Sequence, residues 1–129
     1  MIEGSCLCGA VRWQFDGVPA SATACNCTAC RRYAVLWAYG HEGERIGVSG
    51  ATQPFVRGSS VEFHFCPVCG CLAFWRGQRP TSEGRQRIAV NLRLAQPEAV
   101  ARIPIDRLDG LHDFEHLPSD GRCVADYWV

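Results

Sequence analysis

The sequence contains no lysine, and its formal net charge is zero because 13 arginines balance 13 acidic residues. A chain without an excess of positive charge gives no indication of a nucleic-acid or membrane surface. No basic flank precedes an apolar run at the N-terminus, and no stretch approaches the ~18 apolar residues of a spanning helix. We therefore expect a cytoplasmic protein without a signal peptide, whose partners are neither nucleic acids nor membranes.

Cysteine is what the sequence has in excess, with nine in 129 residues. The length and the 47% hydrophobic fraction are those of one globular domain, expected to cover residues 1–129. An odd cysteine count in a chain with no export signal disfavours a disulfide framework, so metal ligation by thiolates is the leading interpretation. The cysteines fall into three clusters and one isolated residue: Cys6 and Cys8; Cys25, Cys27 and Cys30; Cys66, Cys69 and Cys71; and Cys123.

Alternation of apolar and polar residues predicts an all-β chain. The strongest period-2 patterns cover residues 11–15, 61–65 and 88–94. Weaker patterns indicate strands at residues 35–39, 45–48, 54–57, 72–75 and 103–108. Only residues 28–33 and 96–102 look capable of a helical turn, and most glycines and prolines lie between the strands. We expect two or three small antiparallel sheets.

The first and third clusters together offer one complete set of zinc ligands. Cys6 and Cys8 are two residues apart, so on an extended segment both side chains project from one face. The turn from Cys66 to Cys69, followed by Gly70, is typical of a zinc knuckle, in which backbone N–H groups point at the thiolates and glycine tolerates a left-handed conformation. Four thiolates saturate the ion, so such a site is structural.

The second cluster, "CNCTAC", presents three thiols from an extended segment into the start of a turn. Three thiolates occupy three corners of a tetrahedron, and the fourth is left for a substrate or another side chain. Three thiolates blunt the Lewis acidity of Zn²⁺ but suit it to hold a further sulfur, which indicates a thiol or thiol-adduct substrate. Side chains that could close the site instead are Cys71, Cys123, His64, His112 and His116.

Residues next to this cluster are candidates for substrate binding. Arg31 and Arg32 directly follow Cys30 and could bind a carboxylate of a thiol substrate, or simply form a solvated turn. Trp37 and Tyr39 lie on one face of the following predicted strand, where they would wall the pocket or pack in the core.

The order of motifs "GSCLCGAV", "CNCTACRRY" and "HFCPVCG" resembles that of the glutathione-dependent formaldehyde-activating enzymes, also called the centromere protein V family, over residues 4–108. The resemblance implies a β-tent fold of stacked antiparallel sheets with two Zn²⁺ ions. It implies a carbon–sulfur lyase that adds formaldehyde to glutathione to give S-hydroxymethylglutathione. In this pattern the structural zinc is held by Cys6, Cys8, Cys66 and Cys69, and the catalytic zinc by Cys25, Cys27 and Cys30.

Two segments differ from the family pattern. Cys71 stands where a small residue commonly follows the knuckle, and Ala34 and Val35 stand where many members carry a glycine-containing segment. A non-catalytic zinc scaffold or a glutathione carrier is the alternative function. Self-association as a homodimer through an edge strand is left open, and no residue identifies the strand that would form the contact.

Overall fold

The computed structural model of the chain describes residues 1–128 and confirms an all-β fold, with 41% of residues in strands and 12% in helices. The strands are β1 (Ile2–Ser5), β2 (Arg12–Phe15), β3 (Ala22–Cys25), β4 (Trp37–His41), β5 (Ile46–Ser49), β6 (Gln53–Val56), β7 (Val61–Phe65), β8 (Leu72–Gly77), β9 (Arg87–Asn91), β10 (Ile105–Asp109) and β11 (Glu115–His116).

The helices are single turns. They are α1 (Cys30–Tyr33), α2 (Pro97–Val100) and two 3₁₀ helices at Leu92–Leu94 and Val124–Tyr127. Both segments expected to form a helical turn therefore do so. Within residues 1–128, no helix has the length and apolar character needed to cross a membrane.

The strands form two sheets. The smaller has the order β1-β2-β5, and the larger has the order β11-β10-β3-β4-β9-β8-β7-β6. Strands β3 and β10 pair in parallel, whereas the other strand pairs are antiparallel. Parallel pairing requires a long crossover connection, and the chain between these two strands passes through most of the larger sheet.

The predicted strands are all present: the one at residues 61–65 has the predicted ends, the others have shifted ends, and one needs a correction. Residues 92–94 form a 3₁₀ helix rather than the end of β9. The side chain of Asn91 is the reason, because its oxygen accepts a hydrogen bond from the Arg93 N–H at 3.1 Å while its amide donates to the Leu72 carbonyl at 2.9 Å. The alternation in this segment did not reveal that cap. Strands β1, β3 and β11 were not predicted, since they are short or lack alternation.

The larger sheet is buried on both faces. Phe74, Ile88 and Val90 belong to the main core, which they share with Trp13 and Phe15 of the smaller sheet. The opposite face carries a second cluster with Trp37, Phe63, Leu72, Trp75 and Ala89, and this cluster includes Cys30. Residues that alternate along one strand thus separate into two cores. The second core lies beside the thiols of Cys25, Cys27 and Cys30.

Candidate metal centres

Four thiols converge at one end of the fold. The sulfur of Cys8 lies 3.7 Å from that of Cys6 and 3.6 Å from that of Cys66, and together with Cys69 all four sulfurs are within 4.8 Å of one another. A zinc ion with Zn–S bonds of about 2.3 Å has sulfurs about 3.8 Å apart along each tetrahedral edge. All nine cysteines are free thiols. The donor set and its spacing therefore fit a tetrahedral thiolate-bound metal ion.

Two turns supply the four-thiol cluster. Cys6 follows β1, but Cys8 lies in a turn rather than on the expected extended segment. That turn is closed by Val11, whose N–H donates to the Cys6 sulfur at 3.2 Å. In the second turn the Cys69 N–H points at the Cys66 sulfur at 3.5 Å, and Gly70 adopts φ 81°. The predicted knuckle geometry is present, including its left-handed glycine.

Backbone N–H groups favour the ionised form of one thiol of this cluster, Cys69. Those of Cys71 and Cys8 lower the pKa of Cys69 to about 5. Hydrogen bonds to the thiolate stabilise it relative to the neutral thiol, so the turn is prearranged to offer a charged ligand. Cys71 stands outside the set of four, and burial is the largest cause of its raised pKa.

Three further thiols form a separate cluster. Cys25 ends β3, Cys30 is the first residue of α1, and Cys27 lies in the turn between them, with the three sulfurs within 4.8 Å of one another. The Cys27 N–H donates to the Cys25 sulfur at 3.4 Å and the Cys30 N–H to the Cys27 sulfur at 3.3 Å. The Cys30 sulfur accepts a hydrogen bond from a side chain, the indole N–H of Trp37, at 3.3 Å.

The three thiols of this cluster are not equivalent electrostatically. Burial raises the pKa values of Cys30 and Cys25. Burial also opposes ionisation of Cys27, but the Cys30 N–H and the two neighbouring thiols outweigh it and lower the pKa of Cys27. Cys27 is therefore the first of the three to become a thiolate.

The loop after β10 covers the three-thiol cluster closely. A Cβ atom on Gly110 would lie 2.6 Å from the Cys25 sulfur and 2.6 Å from the Cys27 Cβ. Asn26 fastens this loop, because its amide donates to Asp109 at 3.0 Å and its oxygen accepts from the Leu111 N–H at 3.0 Å. Sequence reasoning missed both Gly110 and Asn26, which are brought together only by the pairing of β3 with β10.

The three histidines named as a fourth ligand lie elsewhere. In the part of the chain that the structure describes, no fourth Cys, His, Asp or Glu joins the three thiols. His64 is buried against Phe74, 4.7 Å between ring centroids, and bonds Thr52 and Glu62 at 2.8 Å each. The other two pair with aspartates at 2.8 Å: His112 with Asp109, and His116 with Asp106.

The two cysteines named as a fourth ligand are also separate from the three thiols. Cys71 lies beside the four-thiol cluster, where its carbonyl accepts from the Cys66 N–H at 2.9 Å. The thiol of Cys123 donates to Asp126 at 3.5 Å, close to the C-terminus. Neither sulfur belongs to the group formed by Cys25, Cys27 and Cys30.

A cavity of about 1010 Å³ opens beside the three-thiol cluster and is lined by all three of its cysteines. Its walls are largely aromatic, formed by Trp37, Tyr39, Phe63, Trp75 and Phe114. Trp37 lines the cavity and also packs in the second core, where it is 1% exposed. It therefore has both of the roles considered from the sequence, as a wall of the pocket and as a core residue. Tyr39 is 46% exposed, so its side chain faces the open part of the cavity.

The two arginines proposed to bind a substrate carboxylate lie on α1. Both Arg31 and Arg32 are exposed, and Arg32 donates to the Thr28 carbonyl at 3.0 Å. Neither is among the residues that line the cavity. Their role in substrate binding stays a prediction without a contact to support it.

Comparison with known proteins identifies one family. The family model described as "Glutathione-dependent formaldehyde-activating enzyme" matches residues 1–101. That range contains both thiol clusters, Cys6 to Cys69 and Cys25 to Cys30. No curated protein matches the chain.

Proposed function

Because the chain belongs to the family of glutathione-dependent formaldehyde-activating enzymes, we propose that its single domain adds formaldehyde, or a related aldehyde, to the thiol of glutathione. The product would be S-hydroxymethylglutathione, which makes the protein a carbon–sulfur lyase. One observation supports this most strongly: Cys25, Cys27 and Cys30 line the cavity, whereas the four-thiol cluster does not.

The two clusters would hold Zn²⁺ for different purposes. Cys6, Cys8, Cys66 and Cys69 supply four ligands, so that site would be structural. Cys25, Cys27 and Cys30 supply three ligands and leave a position facing the cavity. When bound there, Zn²⁺ would stabilise the thiolate form of a substrate thiol, because sulfur-rich zinc favours a further sulfur ligand over activated water.

The residues around the three thiols would prepare the site. The Trp37 N–H orients Cys30, while the Asn26 contacts hold Gly110 against Cys25 and Cys27. The aromatic walls would reduce access of water to the adduct. In the reaction the sulfur of glutathione bonds to the aldehyde carbon, the carbonyl π pair moves to oxygen, and the proton released by the thiol ends on that oxygen. Atoms and electrons balance without a redox reagent.

The same chemistry supports a proposal for the compartment. All nine cysteines are free, and thiols that serve as metal ligands persist in a reducing environment. We place the activity in the cytoplasm, where glutathione is available as the thiol. A cell fractionation experiment with an antibody against the protein checks this placement.

The proposal is tested by exchange NMR of glutathione and formaldehyde, which measures adduct formation above the uncatalysed rate. We expect the wild type to accelerate the exchange and Cys27→Ser to abolish the acceleration. Cys123→Ser is the matched control, because within residues 1–128 the thiol that it removes pairs only with Asp126. Its rate should equal that of the wild type.

The outcomes separate an enzyme from the alternatives. Glutathione binding without acceleration would identify a carrier, and absence of both would identify a zinc scaffold; either result would overturn the proposal. Equal rates for Cys27→Ser and the wild type would also overturn it. Metal content and circular dichroism of Cys27→Ser show whether the four-thiol centre and the fold are retained.

A further inference from the structure

The cavity beside the three thiols has a cationic rim. Its lining includes four arginines, one histidine and one carboxylate: Arg45, Arg57, Arg85, Arg87, His41 and Glu44. The net charge of the whole chain is zero. Positive charge is therefore concentrated at this opening.

Two of the four arginines are already engaged by the protein. Arg85 forms a bidentate ion pair with Glu44, with both N···O distances at 2.9 Å. Arg45 donates to the Asp16 carbonyl at 2.9 and 3.1 Å and lies over the ring of Phe15. Each uses two nitrogens of its guanidinium in these contacts, so the charge of Arg85 is paired and Arg45 is fixed to the main chain.

The other two arginines have no such partner. Across residues 1–128, the guanidinium groups of Arg57 and Arg87 make no ion pair and no hydrogen bond with a protein acceptor. Arg87 lies over the ring of Trp75, 5.2 Å from its centroid. A guanidinium held against an aromatic face keeps its edge N–H donors available for a carboxylate.

Both free arginines lie at the end of the strands opposite the thiols. Arg87 pairs with His41 at one end of the β4–β9 ladder, whereas Trp37, the partner of Cys30, pairs with Asn91 at the other end. Arg57 begins the turn from β6 to β7. That turn packs at the same end, since Val61 pairs with Gly77 and Gly77 adjoins Arg87.

The distance between the thiols and the arginines can be spanned by a short peptide thiol together with an arginine side chain. His41 is four residue steps along β4 from Trp37, which is about 13 Å at ~3.3 Å per residue. Two aromatic rings bridge this span, because the centroids of Trp37 and Trp75 are 6.5 Å apart. The thiol of glutathione is on the central residue, so each terminal carboxylate lies about two residue lengths, roughly 7 Å, from the sulfur. The Arg87 side chain, which lies over Trp75, covers part of the remaining distance.

We propose that Arg57 and Arg87 form a carboxylate-binding subsite at the cavity rim, which selects thiols that carry an anionic group about two residue lengths from the residue with the sulfur. The inference rests on the proposed function, which places the substrate sulfur at Cys25, Cys27 and Cys30. It assigns the charge recognition to these two residues rather than to Arg31 and Arg32. A small neutral thiol reaches the cysteines without contacting either guanidinium.

The test measures binding and reaction separately. Binding of S-methylglutathione, which has both carboxylates but no reactive thiol, is followed by the fluorescence of the cavity tryptophans. We expect Arg57→Gln and Arg87→Gln each to weaken it by roughly fivefold and the double variant by more than tenfold, the range for solvent-accessible charge-assisted contacts. The control is the double variant Arg31→Gln/Arg32→Gln, which loses the same amount of charge at residues that do not line the cavity. Its affinity for S-methylglutathione should equal that of the wild type.

A second arm uses the exchange reaction with glutathione and with 2-mercaptoethanol. The double variant should lose acceleration with subsaturating glutathione but retain it with the neutral thiol. If the Arg57→Gln/Arg87→Gln variant binds S-methylglutathione as tightly as the wild type does, the subsite is overturned. Equal weakening in the Arg31→Gln/Arg32→Gln control would also overturn it. If no variant or wild type accelerates exchange, yet the double variant alone loses S-methylglutathione binding, the proposed function fails while the subsite stands.

Discussion

The indole N–H of Trp37 donates to the sulfur of Cys30 at 3.3 Å and thereby connects the aromatic wall of the cavity to the three-thiol cluster. Burial raises the pKa of Cys30, and this hydrogen bond opposes that effect by stabilising the thiolate. Trp37 itself is held by Trp75, whose ring meets it edge to face. The orientation of one metal ligand thus depends on a core aromatic residue.

Replacing Trp37 by Phe should weaken metal binding at the three-thiol cluster about 10- to 100-fold, the usual effect of losing a donor to a ligand. Competition with a zinc chelator of known affinity measures the change. Trp75→Phe is the matched control, because it alters the same aromatic stack without removing a donor to sulfur. Equal weakening by both variants would show that packing, not the hydrogen bond, is responsible.

Removal of metal from the four-thiol cluster should unfold the protein. Apparent zinc binding in small peptides is worth ~10 to 16 kcal/mol, which is as large as the ~5 to 15 kcal/mol that stabilises a whole domain. Cys69→Ser should therefore lose native circular dichroism, whereas Cys27→Ser should retain it with one metal ion fewer. A soluble, metal-free protein with a native spectrum would contradict this expectation.

Gly110→Ala should disrupt the three-thiol cluster. The added Cβ would lie 2.6 Å from the Cys25 sulfur, so either the loop or the cysteine must move. We expect loss of metal from this cluster alone, measured as zinc per chain, with the four-thiol centre unaffected.

Gly47→Ala is the control for that substitution. Its Cβ would meet the end of the flexible Gln14 side chain at 3.2 Å, on the smaller sheet. Full metal content in Gly110→Ala would contradict the prediction, because it would show that the loop can move away without loss of metal from the three thiols.

The carboxylate of Asp109 should contribute stability in a pH-dependent manner. Hydrogen bonds from Asn26 and His112 lower its pKa below the ordinary value of 3.8. A carboxylate whose pKa is lower in the folded state stabilises the protein above the unfolded-state pKa, and this contribution is lost as the pH falls through the folded-state pKa. The melting temperature of Asp109→Asn should therefore be below that of the wild type at pH 7, and the difference should narrow as the pH falls below 3.8.

Asp113→Asn provides the reference for that pH series. Its carboxylate, in the same loop, accepts no side-chain hydrogen bond in the described chain. Asp109 also helps to hold the loop over the three thiols, so the zinc content of all three proteins is measured at each pH and the melting temperatures are compared where it is equal. A constant difference down to about pH 3 would contradict the assignment.

Local patterns predicted the strands well where one face differs clearly from the other. The segment at residues 61–65 is a strand with the predicted ends, because Phe63 packs into the second core while its neighbours face the other way. The same reasoning extended β9 too far, since the Asn91 cap depends on a carbonyl of β8 that is 19 residues away. Strand β3 was missed because "ATAC" has little alternation and is stabilised by neighbours on both sides.

The sequence by itself determined the two groups of thiols, since short intervals such as CxC and CxxC constrain the chain locally whatever the rest of it does. Tertiary structure alone decided what surrounds each group. The pairing of β3 with β10 brings Gly110 onto Cys25, and the ladder of β4 with β9 places Arg87 at the far end of the cavity from Cys30. These contacts join residues up to 85 positions apart, and no local pattern encodes a distance between segments that meet only when the sheets assemble.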